Sequence, residues 1–435
     1  MAIAIFLLTL ILVIWQPRGL GIGFSAIGGA LLALATGVVT LQAVPTVWAI
    51  VWNATFTLVA LVIISLILDE AGFFRWLALI LARWGVGNGR LLFFLVVLLG
   101  ALVTALFTND GTALIWTATV MELLLLLGFN PKATFAFVFA TGFIADATSL
   151  PLPVSNLVNI IAADYFNISF LRYVLVMVPI NFVAIASSLA VLWFYFDRHI
   201  PLTYDSACLP PPREVIRDPL VCQWSFAILG LLLIGYFFAE PLGVPVSCIA
   251  GIGALVMLAL AGRWFHKDAI PIIPIRKILQ EAPWQVILFS LGMYLVVIGL
   301  RNAGITALLS QCLEFLSSWG LTLAATGTGV LATLLSGVMN NLPTVLLNSL
   351  AIQDVSGGDR ILQEIMVYAN IIGCNIGAKI TPLGSLSTLL WLDVLARKGF
   401  RISAFQYIPI ALILTIPVLF ISLLSLAIWL PWIIA

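Results

Sequence analysis

Charge is scarce in this chain. Only 9% of its 435 residues are Asp, Glu, Lys or Arg, while 63% are hydrophobic; an average soluble domain carries about 25% charged residues. So few ions cannot cover a water-exposed surface, which excludes an ordinary soluble domain and leaves nearly the whole chain in a bilayer. The net charge is +1, and no basic stripe with interleaved aromatics occurs, so no nucleic-acid partner is expected. The five cysteines, Cys208, Cys222, Cys248, Cys312 and Cys374, form no CxxC and have no histidine beside them. Neither a metal centre nor a disulfide framework follows from such spacing. A Walker A loop is missing, so the chain does not hydrolyse ATP itself. The first run, Met1 to Trp15, has no basic start and no small-residue cleavage site, and reads as a retained helix rather than a signal peptide.

What remains is a long series of apolar runs, each near the roughly 20 residues that a span needs. The expected fold is an all-α polytopic membrane protein. Two runs are split by polar residues into paired arms, 90–127 and 320–352, which read as re-entrant helical hairpins. Two others, 132–163 and 361–392, are interrupted by Gly, Pro and polar residues and read as broken helices. Segments 71–84 and 305–319 read as shorter arms at the membrane interface. About ten transmembrane helices then accompany the two hairpins, five crossings in each half, and an odd number inverts the second half relative to the first. The first repeat is 1–196 and the second 220–435. A Pro-rich and charged linker, 197–219, joins them.

Basic side chains favour cytoplasmic loops, which tests the count. Of the 19 Lys and Arg residues, only Arg172, Arg301 and Arg360 fall on one side and Lys379 within the membrane; the rest, Lys267 among them, share the other side. Treating either hairpin as a full crossing scrambles this partition. Both termini are therefore expected outside the cytoplasm, with the linker inside. His199 and His266 fall in cytoplasmic loops, and Glu122 lies near the end of its arm, where it can snorkel.

The polar insertions occur twice in register. Thr108-Asn109-Asp110-Gly111-Thr112 aligns with Asn340-Asn341-Leu342-Pro343-Thr344 at a spacing of 232 residues. Gly142 and Pro151-Leu152 align with Gly373 and Pro382-Leu383 at 231, followed by Ser155-Asn156 and Ser387-Thr388. Inverted repeats with discontinuous helices build midplane substrate sites in secondary transporters, with half-helix ends and freed carbonyls as ligands. The expected lining is Asn109, Thr112, Thr148, Ser149, Ser155, Asn156, Asn340, Asn341, Thr344, Asn375, Thr381 and Ser385. Taken singly, each such hydroxyl or amide has a plainer use, bonding a neighbouring helix for about 0.6 kcal/mol. Asp110, Asp146 and Lys379 carry a stronger signal, because a charge at membrane depth costs at least about 2.5 kcal/mol. Asp146 and Lys379 fall in symmetry-related breaks and can pair. A structural ion pair is the alternative; otherwise the three groups are candidates for proton coupling, with one excess negative charge to hold one proton. The uncharged lining both donates and accepts hydrogen bonds, which suits a small neutral polyhydroxy solute.

These residues carry a specific resemblance. Phe107 to Leu114, Leu127 to Thr134, Gly142 to Pro151, Val154 to Ile160, Gly337 to Thr344 and Gly373 to Ser385 resemble the bacterial arsenite efflux pump membrane proteins of the ArsB type, within the ion transporter superfamily. The resemblance implies export of arsenite and antimonite across the bacterial inner membrane, driven by the proton gradient or by an attached cytosolic ATPase where one is co-expressed. Arsenous acid, As(OH)3, is a small neutral metalloid triol at neutral pH, so it agrees with the solute read from the residues. One thiol at Cys374 cannot supply the three bonds of a tight arsenic site. The competing readings are a sodium/proton antiporter or small-anion carrier on the same scaffold, a channel, and a membrane enzyme. Lys379 opposes sodium. No Gly-x-Gly-Asp of intramembrane aspartyl proteases occurs, since Asp146 follows Ile144-Ala145; no enzymatic role and no cofactor is expected.

Overall fold

A computed structural model describes residues 1–265, 271–355 and 359–434. His266 and Lys267 lie outside the described residues. The protein is helical throughout, and one isolated antiparallel β-bridge, Asn88 to Thr203, is the extended pairing among the described residues. Among the described residues, eight helices are long and apolar enough to cross a membrane.

The chain begins with α1 (Ala2–Trp15), α2 (Ile22–Ala35), α3 (Ala43–Glu70) and α4 (Phe73–Trp84). α2 ends at Ala35, where Gly37 takes φ +72° and Val39 N–H returns to the Ala33 carbonyl. Next come α5 (Gly89–Phe107), the short α6 (Asn109–Gly111), a π turn at Thr112–Trp116 and α7 (Thr117–Leu126). Thr104 Oγ donates to Thr112 Oγ at 3.0 Å, so the chain doubles back at Thr108. α8 (Pro131–Ala147) opens on an Asn130 cap with Pro131 in the first turn, where a missing N–H costs nothing. It stops at Thr148, and α9 (Leu157–Tyr165) restarts on an Asn156 cap. α10 (Phe170–Phe196) completes this half.

The second half repeats the order with α11 (Pro219–Ala239), α12 (Val246–Ala261), α13 (Ile275–Glu281), α14 (Trp284–Asn302), α15 (Ile305–Ser317), α16 (Leu321–Met339) and α17 (Asn341–Val355). α18 (Arg360–Asn375), a short turn at Gly377–Ile380, α19 (Leu386–Arg397) and α20 (Ala404–Ile434) follow. Backbone geometry recurs along with element order. Gly72 and Gly304, at φ +88° and +83°, precede α4 and α15. Thr108 and Asn340 share an unusual conformation, φ/ψ 81°/155° and 76°/154°. Thr112 Oγ and Thr344 Oγ then donate to the carbonyls of those two residues, at 3.0 and 2.7 Å.

The core forms where the two halves interleave. α2 packs on α14, α3 on α12 and α10 on α20, while α8 and α18 lie against α5 and α16. Gly142 on α8 has no Cβ, and one placed there would lie 2.4 Å from the Trp391 ring of α19. That missing methyl lets the indole seat against α8, where its N–H donates to the Val138 carbonyl at 3.1 Å. The connector 197–219 is bonded to the first half through Gly89 N–H to Leu202 O, Tyr204 N–H to Gly87 O and Arg217 N–H to Ala71 O.

Candidate functional site

The breaks leave backbone groups without helical partners, and buried polar groups must be bonded. Much of the predicted polar set meets that demand. Thr148 Oγ donates to the Ile144 carbonyl, Thr381 Oγ to Gly337, and Ser155 Oγ lies within reach of the Ser149 and Leu152 carbonyls. Asn340 Nδ2 donates to Leu383 O at 3.0 Å and its Oδ1 accepts from Leu342 N–H. Asn375 has no free valence: Nδ2 donates to Asn159 Oδ1 and to Ile371 O, both at 2.8 Å, while Oδ1 accepts from Asn156 Nδ2 and Ser149 Oγ. It pins the second broken helix to the first break.

At the centre, Asp146 and Lys379 form an ion pair of 2.8 Å, each residue 1% exposed. Asp146 Oδ1 accepts from Asn109 Nδ2 at 2.7 Å, from Ser385 Oγ at 3.3 Å and from Ser387 Oγ. Oδ2 faces Lys379 and Thr388 Oγ, to which Lys379 Nζ also donates at 2.9 Å. Tyr407 O–H donates to the Lys379 carbonyl at 3.0 Å. Charge and hydrogen-bonding capacity are both met inside this cluster, which is what a buried ion pair needs if its desolvation is to be offset.

Asp110, one residue from Asn109, is different. It accepts no hydrogen bond from a described residue and lines a chamber with Asn109, Asn156, Asn341 and Ser385, closed by Leu157, Val286, Leu342 and Leu386. The chamber holds about 10 Å³, room for about one water. At Asp110, Val286 and Leu386 it meets a larger cavity of about 450 Å³, whose far wall includes Glu281 and Trp284. Among the described residues, no Lys or Arg lines either space.

Of the twelve predicted lining residues, Asn109, Asn156, Asn341 and Ser385 meet in the chamber. Thr112, Thr148, Ser149, Ser155, Asn340, Thr344, Asn375 and Thr381 surround it, bonded to backbone or to one another. Sequence reasoning missed Asn159, Ser387, Thr388 and Tyr407. The first three carried a signal, standing in the same polar runs as chosen residues; Tyr407 lies in an apolar run and carried none. Cys374 is buried off the chamber, 3.5 Å from both Ser336 Oγ and Asn370 Oδ1. All five cysteines are free thiols, and no cluster of His, Cys, Asp and Glu among the described residues could hold a metal ion.

Two clasps flank the site. Glu122 on α7 pairs with Arg75 at 3.2 Å and with Lys398, beyond α19, at 2.6 Å. Glu364 on α18 takes Arg172 of α10 at 2.7 Å and Arg360 at 3.2 Å.

The family model for the arsenical pump membrane protein, ArsB, matches residues 1–430. The chain is 54% identical over 424 residues to the arsenical pump membrane protein of Escherichia coli strain K12, covering 98% of this chain and 97% of that one. Identity is 29% over 447 residues to the putative arsenical pump membrane protein of Bacillus subtilis strain 168, covering 98% and 99%. In fold it is similar to the YdaH transporter of Alcanivorax borkumensis, a crystal structure with TM-score 0.56 over 91% of this chain and 90% of that chain at 15% identity. The chain belongs to the ArsB family of arsenical pump membrane proteins, multi-pass membrane transporters.

Proposed function

We propose that this transporter exports arsenite and antimonite from the cytoplasm as the neutral trihydroxide in exchange for protons. The observation that carries the reading is the separation of two carboxyls. Asp146 is matched by Lys379, whereas Asp110 has no counter-ion among the described residues and faces the chamber. Asp146 and Lys379 pair with each other, which leaves Asp110 as one uncompensated acidic group. Asp110 is thus the group that gains and loses the coupling proton, while the Asp146–Lys379 pair fixes the hairpin tip through Asn109.

The three amides of Asn109, Asn156 and Asn341 and the Ser385 hydroxyl both donate and accept, the pattern a neutral triol requires. The absence of Lys and Arg from the lining disfavours an anion carrier. A sodium site is disfavoured because Lys379 already occupies the position beside the buried carboxylate.

The two halves are read as an inverted repeat of 1–196 and 220–435, with the hairpins entering from opposite sides and both termini outside the cytoplasm. The skewed distribution of Lys and Arg supports this orientation. On it, the 450 Å³ cavity, lined by Gln280 to Val286 just after the basic residues Arg276 and Lys277 of α13, faces the cytoplasm. A cytosolic ATPase, where one accompanies the pump, would meet this same face.

Uptake of radiolabelled arsenite into inverted vesicles, with and without an imposed pH gradient, tests the proposal. Accumulation should follow an acid-inside gradient and stop when a protonophore collapses it. Equal accumulation without any gradient would rule out proton exchange.

A further inference from the structure

The 450 Å³ cavity is far larger than a four-heavy-atom cargo needs. Its volume falls in the range of about 300–1,000 Å³ typical of organic-ligand pockets, which are mostly apolar with a few placed polar groups. Its walls come from five parts of the chain: Ile22 of α2, Val62 of α3, Leu114 of the π turn, the α13–α14 junction as far as Val286, and Leu386 and Leu390, one turn apart on α19. Leu114, Leu386 and Leu390 are only half-buried, so their side chains have surface left to cover. At the inner end stands the unpaired carboxylate of Asp110. At the mouth stand Trp284, an exposed indole, and Glu281. Glu281 has a cation of its own at 3.9 Å, Lys277. Gln285 is also engaged, its Oε1 accepting from Gly23 N–H at 3.0 Å.

We propose that this cavity is a binding site for amphiphilic organic monocations, with the apolar body against Leu114, Leu386 and Leu390 and the cationic head toward Asp110. Charge complementarity selects the ligand class. A carboxylate at membrane depth without a partner is costly, and a bound monocation neutralises it. An aromatic ring at the entrance favours the same sign of charge, through its negative face. A neutral ligand of the same shape would gain the apolar contact alone, and an anion would be repelled. Occupation would cover the entrance to the chamber at Asp110, Val286 and Leu386, so such a cation would also inhibit transport. Binding itself does not depend on what the pump carries.

The test is equilibrium binding of radiolabelled 4-phenylbutyl-trimethylammonium to the purified full chain in nanodiscs. Its comparison is the neutral analogue in which carbon replaces the nitrogen. The cation should bind at least about tenfold more tightly. Asp110→Asn should abolish that preference while leaving the neutral analogue's affinity within twofold, and Glu281→Gln should leave the preference in place. Leu390→Trp, which fills the cavity, should remove binding of both. Equal binding of the two compounds to the natural protein would overturn the proposal, as would a preference lost with Glu281→Gln. Binding untouched by Leu390→Trp would reassign the signal to lipid partitioning. Should Asp110→Asn fail to fold, the charged-against-neutral comparison and the Leu390→Trp variant still decide.

Discussion

Asn375 donates to Asn159 across the two halves of the chain at 2.8 Å, and its carbonyl oxygen takes Asn156 and Ser149 from the same break. One amide therefore holds the second broken helix against the first. Asn375→Ala should orphan several buried groups at once. Unmet buried donors and acceptors cost about 1–3 kcal/mol each, so thermal unfolding of the purified protein should register a loss of roughly 3 kcal/mol, and transport should fall with it. A variant with unchanged melting would show that the staple is dispensable.

The central ion pair makes a sharper prediction through a double-mutant cycle. Asp146→Asn leaves the Lys379 ammonium buried with Thr388 as its remaining side-chain partner. Breaking a buried pair from one side costs about 3–5 kcal/mol. Asp146→Asn and Lys379→Met should each be severely destabilised. Together they should recover most of the loss. Additive losses in the double variant would mean that the two charges do not stabilise one another.

Asp110→Asn should behave differently, because no ion pair depends on Asp110. The protein should fold and reach the membrane as before. Arsenite exchange between equal pools should persist, while accumulation driven by a pH gradient should fall at least tenfold. Undiminished gradient-driven accumulation in vesicles would remove Asp110 from proton coupling.

Thr108 sits at φ 81° and ψ 155°, a region nearly reserved for glycine that costs other residues about 1–3 kcal/mol. Thr108→Gly relieves that strain but gives up the bond from Gly111 N–H to Thr108 Oγ, at 3.3 Å, a cap worth about 1 kcal/mol. The variant should melt at a slightly higher temperature, by the equivalent of roughly 1 kcal/mol. It should also transport more slowly, because the tip that presents Asn109 and Asp110 is less firmly held. Faster transport by this variant would show that the strained turn does not serve presentation.

Cys374→Ser retains a hydroxyl near Ser336 and Asn370 and lies outside the chamber. Arsenite uptake by this variant should stay within twofold of the natural protein. Complete loss would bring thiol ligation back into consideration.

The hairpin tips and helix breaks were legible in the sequence because bilayer chemistry makes polar, Gly and Pro interruptions expensive unless they are used. Asn109, Asp110 and Asn341 were found that way, and the Asp146–Lys379 contact followed from placing one charge in each break. Which neighbours face the chamber was not legible. Thr112 and Ser385 look alike as residue types, yet one bonds the carbonyl of a hairpin tip and the other bonds the central carboxylate and lines the chamber. Register inside the breaks also escaped. The sequence aligns Pro151 with Pro382 at a spacing of 231, but the helices restart at Leu157 and Leu386, 229 residues apart, so the second helix restarts two residues sooner after its proline. As a result Ser385, not Ser387, takes the capping position that Asn156 holds in the first half.

The water-sized chamber has a consequence for affinity. On the proposed function, a cargo with four heavy atoms would seat between Asn109 and Asn341 only after the two loop ends draw apart, so loading and mechanical opening would be one event. Part of every favourable contact would then go into that separation, which would hold the grip loose and let the passenger leave as readily as it boards.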